Sequence, residues 1–392
     1  MNKGLDINNM TIRTGTENDR RELLYLWEEY ILRHRFLRGW QAIEYHIFED
    51  NRFEWYRHCL VVEKDGRIVA ALALIPMVMN IANILIKVGV ITGVVTIPEF
   101  RKQGLMTFLM QRAGNKMFEE KQLLGLLWGY RDRYKHFGFE LCGKRNRYFV
   151  PRRKFSNITE AEKDKIREVE WQKDEGFVEK LANFNNLYLS GLSGYRSRVF
   201  KRAVLNSYIF DDNDNPAIVT INNSPVAESG HLEIYYANGR FQEIMAILNM
   251  LMVSPQYKEC VFVGEPLLSE GEDRFYNFYE WFNSEHICNV RINDFLDLMK
   301  HLEPYFSLKA SNAGCDIKLS MTRNSQEATW TLQSNAKISS VRRYEGTFSD
   351  TEIVRILFGS EKPSELPFVK EEDSLLDDFF PVPFKILPFE GV

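Results

Sequence analysis

The segment Thr96-Ile97-Pro98-Glu99-Phe100-Arg101-Lys102-Gln103-Gly104-Leu105-Met106 has the residue types and spacing for anion binding. An apolar strand runs up to Pro98, which has no amide hydrogen with which to continue a ladder. A helix is predicted from about Arg101 to Glu120. Arg101 to Gly104 are then expected at its amino terminus, where unpaired N–H groups and the helix dipole favour negative charge. Gly104 has no side chain to keep a phosphate off the backbone, and Arg101 and Lys102 bring positive charge beside it. The chemistry is that of a diphosphate cradle, with the nucleotide unspecified. Further along, Tyr134-Lys135-His136-Phe137-Gly138-Phe139 follows another apolar strand, LLGLLWGY, and offers a phenol.

Other motif-like stretches carry less. Gly138-Phe139-Glu140-Leu141-Cys142-Gly143-Lys144-Arg145 spells G-x-x-x-x-G-K, but Arg145 replaces the Ser or Thr that would hold magnesium. His286-x-Cys288 is too little for zinc, there is no H-E-x-x-H, and no metal is expected. The cluster Lys144, Arg145, Arg147, Arg152, Arg153, Lys154 reads as a solvated surface or interdomain contact. Lysine and arginine number 50 against 54 acids, a net charge of −4, which argues against a dedicated nucleic-acid binder.

At 392 residues the chain exceeds one ordinary core and suggests two or three domains of roughly 150 residues. Its amino terminus lacks the apolar core of a signal peptide. Its cysteines number 5, are scattered and never form C-x-x-C; free thiols in a reducing, cytoplasmic setting are the expectation. The apolar run from Val69 to Pro98 is broken by Pro76, Asn80, Asn83 and Lys87, and reads as consecutive buried strands rather than a membrane span.

The elements that must position the cradle alternate. MTIR is strand-like, and Thr16-Glu17-Asn18-Asp19 is a start signal in which the Thr hydroxyl accepts a helix N–H. Leu23, Leu24, Trp27, Tyr30 and Ile31 then form one helical stripe. Asp65-Gly66 suits a tight hairpin between CLVVE and IVAALALIP. RDRYKHFGFELCG is a short helical turn entering the last strand or two, and a connector is expected near Pro151. A second α/β block runs to about Cys288, without a clear copy of the first block's motifs. A third opens with a strand and helix at NVRINDFLDLMKHLEPYF and ends in an aromatic tail.

Strand–Pro-x-x-Arg-x-x-Gly–helix followed by Tyr134-x-x-x-Gly138-Phe139 resembles the GNAT family of acetyl-CoA-dependent N-acetyltransferases. There R-x-x-G-x-G/A holds the coenzyme A diphosphate, the preceding strand pairs with the pantetheine arm, and Y-x-x-x-G-F follows the strand that splays to admit the thioester. Met106 stands where that motif has Gly or Ala. The chain as a whole resembles the Eis (enhanced intracellular survival) group, which joins a GNAT domain, a second GNAT-like domain without a cofactor site, and a sterol-carrier-like domain. Arg101-Lys102-Gln103-Gly104-Leu105-Met106 fits that group's R-x-x-G-L-[LM]. Val290-Arg291-Ile292-Asn293-Asp294-Phe295 is similar to the R-[IL]-x-D opening of its third domain, as are Trp330 in ATWTL and the ILFGS helix to later elements.

The resemblance implies an α/β (α+β) protein: a GNAT acyltransferase domain at 1–150, a degenerate GNAT-like domain at 151–288, and a sterol-carrier-like α/β domain at 289–392 whose tail docks toward the first. It implies acetyl-CoA held by Val94, Val95, Thr96, Arg101, Lys102, Gln103, Gly104 and Leu105, and an amine of a small molecule (aminoglycoside-like) or a lysine as acceptor. Direct attack on the thioester requires removal of the amine proton, an oxyanion donor and an acid for the thiolate. The resemblance gives the acid role to Tyr134, whose alternative is a hydroxyl capping the turn. It gives the base role to the carboxylate of Val392, with Glu390 nearby, although the chain ends Phe389-Glu390-Gly391-Val392 rather than in an aromatic residue. The oxyanion donor is expected to be a backbone N–H near Val94. Glu28, Glu29, Phe36, Trp40 and Tyr45 are the acceptor-side candidates, each also explicable as packing or solvated surface. Ring-like hexamers in the group imply a homo-oligomer. A second reading is a non-catalytic carrier using the third domain; a third, weaker one is an acidic-partner or nucleic-acid adaptor.

Overall fold

The computed structural model describes residues 10–32, 48, 53–181, 189–190, 199–202, 204–223, 230–270, 272–313, 316–323, 326–332, 341–369 and 374–385. The first sheet starts with β1 (Met10–Thr14), β2 (Cys59–Lys64), β3 (Arg67–Ile81), β4 (Ile84–Thr96), β5 (Leu124–Leu127) and β6 (Glu140–Cys142). The long apolar run is β3 and β4, two antiparallel strands joined at Ala82–Asn83. Val69 through Ile75 are at most 1% exposed, which is why the run shows no polar alternation: both faces of the sheet are covered. Asp65 and Gly66, with φ of 52° and 76°, close the hairpin between β2 and β3. No helix among the described residues is long and apolar enough to cross a membrane.

Helix α1 (Arg20–Trp27) covers one side through Leu23, Leu26 and Trp27, and a π-helical turn, Glu28–Leu32, extends it. Its start differs in detail from the sequence expectation. The Thr16 hydroxyl donates to Asp19 Oδ2 at 2.8 Å instead of accepting, and the Thr16 N–H donates to the same oxygen at 2.7 Å. Asp19 also takes Arg13 Nη1 and Nη2 at 2.6 and 2.8 Å. These bonds, Arg13 foremost, hold its carboxyl at about 2, below the ordinary 3.8. A carboxylate depressed in the folded state stabilises above its unfolded pKa and loses that as pH falls through the folded one. Asp19→Asn is therefore expected to cost on the order of 2 kcal/mol at neutral pH. The gap from the parent should close between about pH 4 and pH 2 in urea unfolding; a gap unchanged down to pH 2 contradicts this account.

Helix α2 (Leu105–Glu119) buries Leu109, Met110, Ala113 and Met117. It begins later than the predicted Arg101, because Pro98–Phe100 forms a 3-10 turn and Gly104, at φ 83°, is the N-cap. A short helix, α3 (Arg131–Tyr134), precedes β6.

The second sheet contains β7 (Arg145–Pro151), β8 (Ile166–Glu168), β10 (Leu205–Phe210), β11 (Ala217–Asn222), β12 (His231–Arg240), β13 (Glu259–Val263), β14 (Leu267–Glu270) and β15 (Trp281–Glu285); β9 (Leu189–Ser190) pairs with β3. Sheet membership does not follow chain order. Strand β16 (Cys288–Ile292), expected to open the third block, instead inserts between β5 and β6 of the first sheet. Strand β7, across the expected connector at Pro151, belongs to the second sheet, between β15 and β13.

The second sheet repeats a pattern of the first. Strand β3 pairs with β4 across a bulge, α2 follows, and parallel β5 pairs with only Val88–Ile91 of β4, short of the bulge. Likewise β11 pairs with β12 across a bulge at Tyr235, the helix Phe241–Met252 follows, and parallel β13 pairs only with His231–Ile234. Here, however, β14 pairs with Asn238–Arg240 and fills the gap that the first sheet leaves open.

The third block has β17 (Asp316–Arg323), β18 (Gln326–Leu332) and β19 (Val341–Phe348) in the order β18-β17-β19, with helices Phe295–Ala313 and Asp350–Phe358. The aromatic tail is packed: Phe379, Phe380 and Phe384 are 1%, 3% and 5% exposed. Tyr305 Oη donates to the Phe379 carbonyl at 2.9 Å, and Val382 N–H to Leu357 O at 2.7 Å. Cys59, Cys142, Cys260 and Cys288 are buried free thiols; Cys315 lies outside the described residues.

Candidate active site

Parallel strands β4 and β5 are paired from Val88–Leu124 to Ile91–Leu127 and no further. Beyond that point β4 stays with β3 as far as Thr96, while the chain after β5 departs through Trp128, Gly129 and Tyr130. A cavity of about 880 Å3 occupies the opening. One wall is Ile91–Thr96, the floor is Phe100–Lys102 and Gly104–Thr107, and the far wall is Leu127–Tyr130 with Arg133 and Tyr134; Tyr30 and Ile31 close one side.

A bulge orients the β4 wall. Ala71 pairs with Val95 and Ala73 with Thr92, so Gly93 and Val94 together oppose Leu72. Gly93 is at φ 63°, and buried Trp27 donates its indole N–H to the Gly93 carbonyl at 2.8 Å. A Cβ on residue 93 would meet Trp27 Nε1 at 2.4 Å, so both the conformation and the contact demand glycine. A trans peptide points its C=O and N–H in opposite directions, so the Val94 N–H faces away from Trp27. That amide is suited to an oxyanion.

At the floor, Lys102 and Gly104 both have positive φ, 63° and 83°. Arg101 Nε donates to Thr96 O at 3.1 Å, tying the turn to the end of β4. Phe108 N–H reaches Gly104 O at 3.0 Å, so the N–H groups of Leu105, Met106 and Thr107 precede the first α-helical bond and have no helical acceptor. Those donors, a residue without Cβ, and the Arg101 and Lys102 charges fit a diphosphate. Val94, Val95, Thr96, Arg101, Lys102, Gly104 and Leu105 all line the cavity; Gln103 does not, and its amide turns back to Glu99 O at 3.3 Å.

Tyr134, at the end of α3, is 5% exposed and lines the cavity opposite β4. Burial pushes its phenol above the ordinary value of 10.0, so it is protonated at neutral pH. Its segment is fastened by Arg131, whose guanidinium makes a bidentate pair with buried Glu140 of β6. Of the acceptor-side candidates, Glu28 and Glu29 lie on the π-helical turn but outside the cavity lining, where Tyr30 and Ile31 appear. Phe36, Trp40, Tyr45, Glu390 and Val392 lie outside the described residues.

Sequence reasoning did not single out Trp128, Tyr130 and Arg133, nor the role of Trp27 beneath the bulge. A glycine inside an apolar strand, as in VGVITGVV, was the available signal for the bulge. Of the far wall, the sequence signalled only the LLGLLWGY strand and Tyr134.

Fold and site define an α/β domain with a turn of unpaired amides at a strand parting and a buried phenol across the cavity from β4. Residues 11–142 match the family model of the acetyltransferase (GNAT) domain, and this part of the chain is a GNAT domain. No curated protein matches the chain by sequence. Among solved structures, a GCN5-related N-acetyltransferase from Anabaena variabilis is similar with a TM-score of 0.65 at 14% identity, covering 97% of this chain and 98% of that one. One from Kribbella flavida gives 0.57 at 14%, covering 88% of each. Eis1 from Mycobacterium abscessus gives 0.59 at 11%, covering 98% of this chain and 99% of that one. The fold is thus similar to these structures over most of the chain.

Proposed function

We propose that the chain is an N-acetyltransferase that moves an acetyl group from acetyl-CoA to a primary amine of a small molecule, aminoglycoside-like, or of a lysine. The observation that carries this is the parting of β4 from β5 beside the Gly104 turn, with Tyr134 on the opposite wall. When bound there, acetyl-CoA supplies the thioester. The first-turn amides of α2 with Arg101 and Lys102 grip the diphosphate, and the free edge of Val94, Val95 and Thr96 takes the pantetheine amides. The amine attacks the carbonyl carbon; the C–N bond forms, the C–S bond breaks, and the Val94 N–H holds the oxyanion between the two events. The amine proton goes to a base, and Tyr134 gives its phenolic proton to the departing thiolate.

The base in this reading is the terminal carboxylate of Val392. Support comes from the course of the tail: a Cβ on Gly143 of the first domain would lie 3.0 Å from the Phe384 ring. Divisions at 1–150, 151–288 and 289–392 remain our assignment of the three units, although β7, at the end of the first, pairs in the second sheet and β16, at the start of the third, pairs in the first. The filled gap at β14 supports a second unit without a cofactor site.

Two measurements test the proposal together. Acetyl-CoA should raise the melting temperature, and an amine panel with acetyl-CoA should release free thiol. Stabilisation by fatty ligands alone, with no thiol released, would favour the carrier reading.

A further inference from the structure

Strand β16 is nearly all apolar where it is buried, with one exception. Cys288, Val290 and Ile292 are covered, and so is Asn289, at 1% exposed. An amide in such a place is costly for each polar atom left unpaired, and Asn289 Oδ1 has no hydrogen-bond partner among the described residues. Its Nδ2 does: it donates to the Gly129 carbonyl at 2.9 Å, across 160 residues of chain. Gly129 lies just beyond the point where β5 stops pairing with β4, and Asn289 itself is the register partner of Leu127, the last paired residue. The Tyr134 ring rests on this glycine, where a Cβ would come within 2.9 Å of Tyr134 Cε2. The segment bearing the phenol is therefore fastened twice, by Asn289 at Gly129 and by Glu140 at Arg131.

We propose that Asn289 is a positioning residue for the proton donor: its amide fixes where the chain leaves β5, and so sets the place of Tyr134 in the cleft. The inference rests on the acetyl-transfer reading for its effect on rate. A displacement of about 1 Å at a reacting group can cost 10²-fold. In the full-length chain, Asn289→Leu is expected to lower kcat by ten- to a hundredfold with KM for acetyl-CoA within about twofold, since the diphosphate cradle is built from the floor of the cleft and not from the wall that Asn289 fastens. In Asn289→Asp only the protonated acid can donate to the Gly129 carbonyl, so its activity relative to the parent should recover as pH falls.

A readout independent of turnover separates this claim from the reading beneath it. With 13C-labelled tyrosine, and Tyr134→Phe to assign the signal, the Tyr134 phenol should titrate above 10 in the parent and closer to 10 in Asn289→Leu. A parent that transfers no acetyl group defeats the transferase reading, and the titration still decides the positioning. Parental kcat and an unmoved titration in Asn289→Leu overturn the positioning role. So does a loss of kcat matched by an equal loss of coenzyme affinity.

Discussion

Tyr134→Phe should lower kcat by about 10²- to 10³-fold while leaving the dissociation constant for coenzyme A within about twofold. The change removes one oxygen from a ring that keeps its packing against Gly129, so the cleft wall stays in place and only the proton is lost. The pH profile gives the second signature. Burial raises the phenol above 10.0, and the protonated form is the working acid. Activity due to this group is therefore present through neutral pH and lost only as pH rises past that raised value. That alkaline limb should be missing from the residual activity of the Phe variant. Parental turnover in Tyr134→Phe would reduce the hydroxyl to a capping group and leave the thiolate to be protonated by water.

Gly104→Val should act on binding rather than on chemistry. At φ 83° a residue with a Cβ is strained by roughly 1–2 kcal/mol, and a β-branched one is the worst case. Its methyl groups would also stand between the first-turn amides of α2 and a diphosphate, forfeiting charge-assisted hydrogen bonds worth about 1.5–3 kcal/mol each. Together these predict a coenzyme A dissociation constant raised by about 10²-fold or more, measured by calorimetry. At saturating acetyl-CoA, turnover should recover most of its parental value, because Tyr134 and the Gly93–Val94 bulge are untouched. Unchanged affinity would place the diphosphate elsewhere. The contrast between the two variants separates cradle from acid: one moves KM, the other kcat.

Some parts of this protein were settled by short stretches of sequence. Asp65-Gly66 favours a tight hairpin by its own backbone preferences, and Pro98 dictates a strand stop before a helix. The run from Val69 to Pro98 had to be buried strand, since its polar interruptions exclude a membrane helix. These are local preferences, acting within a few residues, and so they can be read without the fold. Helix boundaries were less legible: α2 starts at residue 105 and not 101 because Pro98–Phe100 forms a 3-10 turn and Lys102 and Gly104 take positive φ.

The tertiary structure decided the rest. That β4 and β5 part after Ile91 and Leu127 depends on Trp27 pulling the Gly93 carbonyl inward and on Asn289 holding Gly129 from the other side. Those contacts join residues 66 and 160 positions apart, and no periodicity within either segment announces them. The placement of β7 and β16 in their sheets is of the same kind. A strand's hydrogen-bonding edges are alike for any partner, so the choice of neighbour falls to packing and register across the assembled sheets rather than to its own residues.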